Sequence, residues 1–278
     1  MISMNAIQIV TDSTAYIPKE LMNQMQLKVV SLNVHFEGES FEEGYPDSFD
    51  AYYKRLAAST DFPKTSQPSS ESFQKVFEEA LAEGKEVIAI VISEKLSGTH
   101  NSAYAAAQMT DPDKISIIDS ESTAANLRAL VEMACSWAEE GLTRDDIVAK
   151  LNEQKNKMSI HLTVGTLEYL KRGGRLTGTK AVIATVLDIR PILALVEGKL
   201  VPIGKGRGKT KTIEMMIKDI PDYVKHISVC HTANYDEAFE IMGRLQAKFT
   251  QAKVQVDDIG PVIGSHLGPG AIGICSYW

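Results

Sequence analysis

Val87-Ile-Ala-Ile-Val-Ile92, then Ser93-Glu-Lys-Leu-Ser97-Gly98-Thr99, then His100-Asn-Ser-Ala-Tyr-Ala-Ala-Ala107 reads as a buried strand, a polar turn and the start of a helix. Helix N-termini carry unpaired N–H groups and a partial positive charge, so Ser97, Gly98 and Thr99 can offer hydroxyls and bare amides to a carboxylate or phosphate. The same residues also fit an ordinary Ser/Thr N-cap of an α/β unit.

Working outward, the chain opens β-loop-α. Ile7-Gln-Ile-Val10 is an apolar strand followed by Thr11-Asp12-Ser13-Thr14, and Pro18 opens a helix over 19–26 as a first-turn proline. Residues 29–36 alternate as a second strand, 48–58 read as a helix, and the breaker-rich loop 61–70 caps a helix through Ala82. A strand over 115–118, a helix from about 124 to 140 and another from Thr143 follow. Strands alternating with helices predict a parallel sheet covered on both faces, with its ligand beyond the C-terminal strand ends. Asp12-Ser13, Ser93 to Thr99 and Asp119-Ser120 all fall on that rim, where Asp12 and Asp119 suit the holding of loop hydroxyls and amides better than a catalytic pair.

From Ile160 the texture changes to glycine-punctuated strands and shorter helices, including strands over 180–187, 190–196 and 199–203 and a hairpin turn at Glu197-Gly198 whose type the sequence leaves open. The fold class is therefore α/β: residues 1–160 with a parallel sheet, and a smaller α+β unit over 161–278. The length of 278 residues suits two cores.

The net charge of −7 is spread along the chain without a Lys/Arg block, which argues against nucleic acid. No stretch reaches the roughly 20 apolar residues that span a bilayer, and Met1 to Asn5 leads into a strand, so the expectation is a cytoplasmic protein without stable membrane insertion. Cys135, Cys230 and Cys275 are far apart and read as buried free thiols. His226 and His231 are five apart with no accompanying carboxylate, so neither metal nor cofactor is expected.

Three glycine-containing segments are candidates for chemistry. Gly204-Lys-Gly-Arg-Gly208-Lys209-Thr210 fails as a phosphate loop because Ile203 stands where G-x-x-x-x-G-K-[ST] needs glycine; a basic turn that docks a partner fits better. Gly264-Ser265-His266-Leu267-Gly268-Pro269-Gly270 reads as a glycine-rich loop in which His266 can donate to an anion; Ile263 spoils the hydrolase elbow G-x-S-x-G. Leu170-Lys171-Arg172-Gly173-Gly174-Arg175 ends a short helix. Cations and a glycine cap suit a helix C-terminus, but that leaves Gly174 and Arg175 without a reason, and Arg175 at such a turn can reach a phosphate supplied by another protein.

Taken together, Ile9-Val-Thr-Asp12-Ser13-Thr14, Lys64-Thr65-Ser66-Gln67-Pro68-Ser69, Leu96-Ser97-Gly98-Thr99, Gly165-Thr-Leu-Glu-Tyr-Leu-Lys-Arg172-Gly-Gly-Arg175 and Pro191-Ile-Leu resemble the DegV family along nearly the whole chain. The resemblance implies a two-domain protein that holds a long-chain fatty acid between its domains without transforming it. It implies that Thr65 and Ser97 bind the carboxylate, with Gly98, Thr99 and His266 beside them. It implies further that Arg172 lies on a positive face near the pocket mouth, and that a separate ATP-dependent fatty acid kinase makes acyl phosphate from the bound acid. The apolar run 181–187 through Ile192-Leu193 offers a sleeve for the tail, although such runs more often form core. A hydrolase or phosphotransferase using Ser97 or His266, and a regulatory lipid sensor, are the alternatives.

Overall fold

The computed structural model describes residues 6–46, 49–176 and 189–278. The strands are β1 (Ile7–Asp12), β2 (Lys28–Val30), β3 (Asn33–Phe36), β4 (Glu39–Glu42), β5 (Lys64–Ser66), β6 (Glu86–Val91), β7 (Ile115–Asp119), β8 (Met158–Thr163), β9 (Ile189–Val196), β10 (Lys199–Arg207), β11 (His226–His231), β12 (Lys253–Asp258) and β13 (Ile272–Tyr277). The α-helices are α1 (Lys19–Gln24), α2 (Asp50–Ala58), α3 (Ser70–Ala82), α4 (Thr99–Thr110), α5 (Ala124–Glu139), α6 (Arg144–Gln154), α7 (Glu168–Arg172), α8 (Gly208–Met216), α9 (Tyr235–Lys248) and α10 (Pro261–Leu267).

The first sheet is parallel, in the order β2-β1-β6-β7. Its central strand shows why it forms: Val87, Ala89 and Val91 pack against α3 and α4, while Ile88, Ile90 and Ile92 pack toward α5 and α6. Both faces are apolar because both are covered. The loop aspartates act as read from the sequence. Asp12 accepts from Thr14 N, Thr14 Oγ1 and Ile92 N, and Asp119 Oδ1 accepts from Glu94 N and Glu121 N.

The second sheet is mixed, β10-β9-β8-β13-β11-β12, with β11 and β12 parallel and the other neighbours antiparallel. One face packs through Ile227, Val229, Ile272 and Ile274 with residues of α8 and α9. The other face carries Ile160, Leu162, Leu193, Leu200, Cys230 and Cys275 toward the first sheet's loops. Helix α5 lies between the sheets. Its Leu127, Leu130 and Val131 join the first core, while Asn126 Nδ2 donates to Ser159 O and Arg128 Nη2 bonds both oxygens of Asp257 at 2.7 and 2.8 Å.

The structure departs from the sequence reading in several places. Residues 29–36 form two short strands, β2 and β3, and the segment read as a loop at 61–70 contains β5, which with β3 and β4 makes a small antiparallel sheet. His266 sits in helix α10, not in a loop. The strand expected at 180–187, and with it most of the proposed sleeve, lies outside the described residues. Glu197 and Gly198 have φ of 48° and 74°, so the hairpin turn is the type I′ that matches strand twist. The tip of this hairpin touches the first unit, where Ser93 Oγ donates to Gly198 O at 2.9 Å.

Candidate functional site

The cavity lies between the two sheets. Its wall is apolar over most of its extent, from Leu32 and Ile92 at the strand ends of the first sheet to Ile160, Leu162, Leu195 and Leu200 on the second sheet. Among the described residues, five polar side chains line it: Thr65, Ser97, Thr123, Arg175 and His266.

Each is placed by a local feature. Thr65 is held by the pairing of β5 with β3, opposite Val34. Ser97 precedes α4, whose N-cap is Gly98 with no side-chain cap; a side chain at 98 would strike the Gln67 amide, so glycine lets the Lys64-to-Ser69 segment lie against the turn. Ser97 Oγ bonds Thr99 Oγ1 at 2.9 Å and stands 3.4 Å from Thr99 N. Ser97 is thus not the N-cap itself, yet its hydroxyl accepts from the first helical amide, Thr99 N, and the residue also lines the cavity.

Arg175 follows α7, and the second glycine finds its reason here. Gly174 has φ 69°, Gly174 N donates to Lys171 O and Arg175 N donates to Leu170 O, the paired bonds of a Schellman cap. The cap turns the chain so that Arg175 reaches the cavity wall, donating from Nε to Leu96 O at 3.1 Å and from Nη1 to Gly173 O at 2.6 Å. Arg172 points elsewhere. It is exposed, 3.9 Å over the Phe62 ring and paired with Glu168.

His266 Nε2 lies 2.8 Å from Thr65 Oγ1, and Nδ1 is buried without a hydrogen-bond partner. Burial, with the Arg175 charge adding to it, pushes the imidazole down to about 4, so His266 is neutral near pH 7. With no acceptor at Nδ1, the single proton belongs on Nε2, donated to Thr65 Oγ1. The threonine's own hydrogen is then free for an anion. Ser97 bonds Thr99 and no histidine, so the serine lacks the adjacent base that a nucleophile needs.

Helix α10 is fixed from the first unit. Val262 N donates to the buried Glu43 at 2.7 Å, Tyr53 Oη donates to Ile259 O at 2.6 Å, and Tyr52 Oη bonds Ser265 Oγ at 2.7 Å. Ser13 Oγ donates to the other Glu43 oxygen. Burial pushes Glu43 up to about 8, against the lowering by the Val262 amide and the Ser13 hydroxyl. Tyr16 Oη accepts from Ile263 N at 3.4 Å, and nothing in the sequence marked Glu43 or the three tyrosines, Tyr16, Tyr52 and Tyr53, that bond α10 and the residues before it. Thr123 was missed as well, although it begins the helix after the Asp119 strand end.

Cys230 and Cys275 belong to the wall, their sulfurs 3.6 Å apart, and both are free thiols as read from the sequence. Burial and the neighbouring Cys275 thiol hold Cys230 well above the usual thiol range. No helix among the described residues is long and apolar enough to cross a membrane.

Fold and cavity together define a class: an α/β protein in which a largely apolar chamber between a parallel and a mixed sheet carries a polar cluster of Thr65, His266, Ser97 and Arg175 in its wall. The chain belongs to the DegV family, whose model, described as an uncharacterised protein family, matches residues 6–278. A DegV domain-containing protein of Clostridium acetobutylicum is 35% identical over 281 residues, covering 98% of each chain. A DegV family protein from Thermus thermophilus, described as fatty acid binding, superposes with a TM-score of 0.90 at 32% identity over 98% of this chain and 99% of its own. A stearic acid-binding protein from Eubacterium ventriosum superposes at 0.86, with 29% identity and 98% coverage of both.

Proposed function

We propose that this protein binds a long-chain fatty acid in the cavity between residues 1–160 and 161–278, in the cytoplasm, and presents its carboxylate to a separate ATP-dependent fatty acid kinase. The observation that carries this reading is the make-up of the cavity wall: among the described residues it is mostly apolar, and of its polar side chains Thr65 is bonded to His266 while Arg175 is held at Leu96 O, next to Ser97. A fatty acid likewise joins a small polar head to a long apolar tail. The Thr65 and Ser97 hydroxyls donate to the carboxylate, Gly98 and Thr99 bring the unsheltered start of α4 beside it, and Arg175 supplies the opposing charge. The tail contributes most of the affinity, at about 0.8 kcal/mol per buried methylene.

The protein is read as a carrier and not an enzyme, because Ser97 has no base and His266 is neutral and committed to Thr65. Exposed Arg172, beside the residues that place Arg175, is the proposed docking contact for the kinase. Fatty acid binding by related proteins supports the ligand. The test is lipid extraction and mass spectrometry of the purified, denatured protein, followed by a kinase-coupled assay for acyl phosphate. Absence of any bound or loadable fatty acid sinks the reading. Binding without acyl phosphate formation leaves a lipid sensor, and turnover of an ester or phosphate substrate that Ser97→Ala abolishes establishes the hydrolase alternative.

A further inference from the structure

Most glycines packed against neighbours here have a reason within the fold. A side chain at Gly98 would strike Gln67, one at Gly173 would strike the His266 ring, one at Gly264 the Tyr53 ring and one at Gly206 Thr212. Gly273 is different. It sits inside β13, hydrogen-bonded on both sides between β11 and β8, where a glycine weakens a strand. Its φ is not positive, so the backbone does not require glycine. A Cβ built there would meet Cys230 Cβ at 3.7 Å and the carbonyl oxygens of Cys230 and His161 at 3.9 Å, which is ordinary contact. Neither conformation nor packing explains the missing side chain.

The cavity does. Ile272 and Ile274 point to the core shared with α8 and α9, so the alternation of the strand turns Gly273 to the opposite face, and it lines the chamber beside Cys230 and Leu162. Ala271, Gly273 and Cys275 form three successive steps on that wall, each about 7 Å from the next at two residues per step. Ala271 follows closely after α10 and the His266 end, and Cys275 lies farthest from it along the strand. A glycine inside a strand often marks a bulge or a place where a ligand or another backbone comes close, and the register through Gly273 is regular on both sides, without a bulge.

We propose that Gly273 is a specificity-determining residue: its absent side chain leaves a bay in the middle of the sheet wall through which the acyl chain passes toward Cys275, and so it sets the length of chain accepted. The inference rests on the fatty-acid reading above. Any larger residue at 273 fills the bay and displaces the part of the chain that passes it.

The test uses the full chain with Gly273→Val, stripped of lipid, and measures dissociation constants for laurate, palmitate and stearate together with the melting temperature of the ligand-free protein. The expected result is stearate and palmitate affinity reduced about tenfold or more, the equivalent of roughly two lost methylenes, with laurate affinity held. The ligand-free melting temperature stays level or rises, because a β-branched residue favours the strand. Unchanged stearate affinity overturns the proposal, and so does an equal loss for all three acids. If the valine variant does not fold, Gly273→Ala is measured against the same criterion, with a smaller selective loss of stearate expected and no selectivity overturning it. Wild-type protein that binds none of the three acids defeats the fatty-acid reading instead, a result separate from either outcome at Gly273.

Discussion

At the scale of single residues, the proposed head-group end separates two jobs that one cationic histidine could have combined. Arg175 brings the charge, and neutral His266 orients the Thr65 hydroxyl. A lowered histidine loses stability as the pH falls from its ordinary range toward about 4, and it carries no charge above that. Fatty-acid affinity is therefore expected to be level between about pH 6 and 8, measured by titration with a fluorescent fatty acid; a tenfold decline across that window would show a protonated histidine at work. His266→Ala leaves Thr65 unoriented and is expected to weaken binding by about 1–2 kcal/mol, five- to thirty-fold. Thr65→Val and Ser97→Ala remove donors to an ionised group, each costing about 1.5–3 kcal/mol in the same titration, with the methyl ester of the same acid much less affected.

At the scale of elements, what the sequence revealed depended on whether an element was made by its own pattern or by its partners. The run Val87 to Ile92 and the helices α3, α5 and α6 carry their own periodicity and caps, and they lie where the sequence put them to within a residue or two. Ser69 and Thr143 cap α3 and α6 with their hydroxyls. Strand β5 is three polar residues whose only reason to be extended is the pairing of Val34 with Thr65, which no local pattern announces. Helix α10 is seven residues long with Gly264 inside it; its one local signal is Pro261 in the first turn, and its stability comes from Glu43, Tyr52 and Tyr53 far away in the chain. The site was legible for the same reason in reverse: Thr65, Ser97 and His266 stand in short distinctive motifs, whereas Glu43 stands in none. At α7 the paired glycines make a testable claim. Gly174 at φ 69° resists a Cβ, so Gly174→Ala is expected to destabilise the protein by about 1 kcal/mol in urea unfolding and to weaken fatty-acid binding by displacing Arg175.

For the molecule as a whole, the buried Glu43 ties stability to pH. Its folded value, raised from 4.5 to about 8, means the folded protein holds this proton more tightly than the unfolded chain. The stabilisation is fully present below about pH 4.5 and is lost as the pH rises toward 8, a difference of a few kcal/mol at about 1.4 kcal/mol for each tenfold in proton affinity. Glu43→Gln, which keeps an acceptor for the Val262 amide, is expected to flatten the decline in unfolding free energy between about pH 5 and 8. An unchanged slope would assign that decline to other groups.

The bonds that fix α10 have one more consequence. The segment from Ile259 to His266 belongs by chain order to the second half, yet its Val262 and Ile263 amides, Ile259 carbonyl and Ser265 hydroxyl bond Glu43, Tyr16, Tyr53 and Tyr52 of the first half. Neither half keeps its full set of polar partners without the other, so the two are expected to melt in a single cooperative transition, and a fragment ending near residue 160 would lose the partners that Glu43, Tyr16, Tyr52 and Tyr53 find in and before α10.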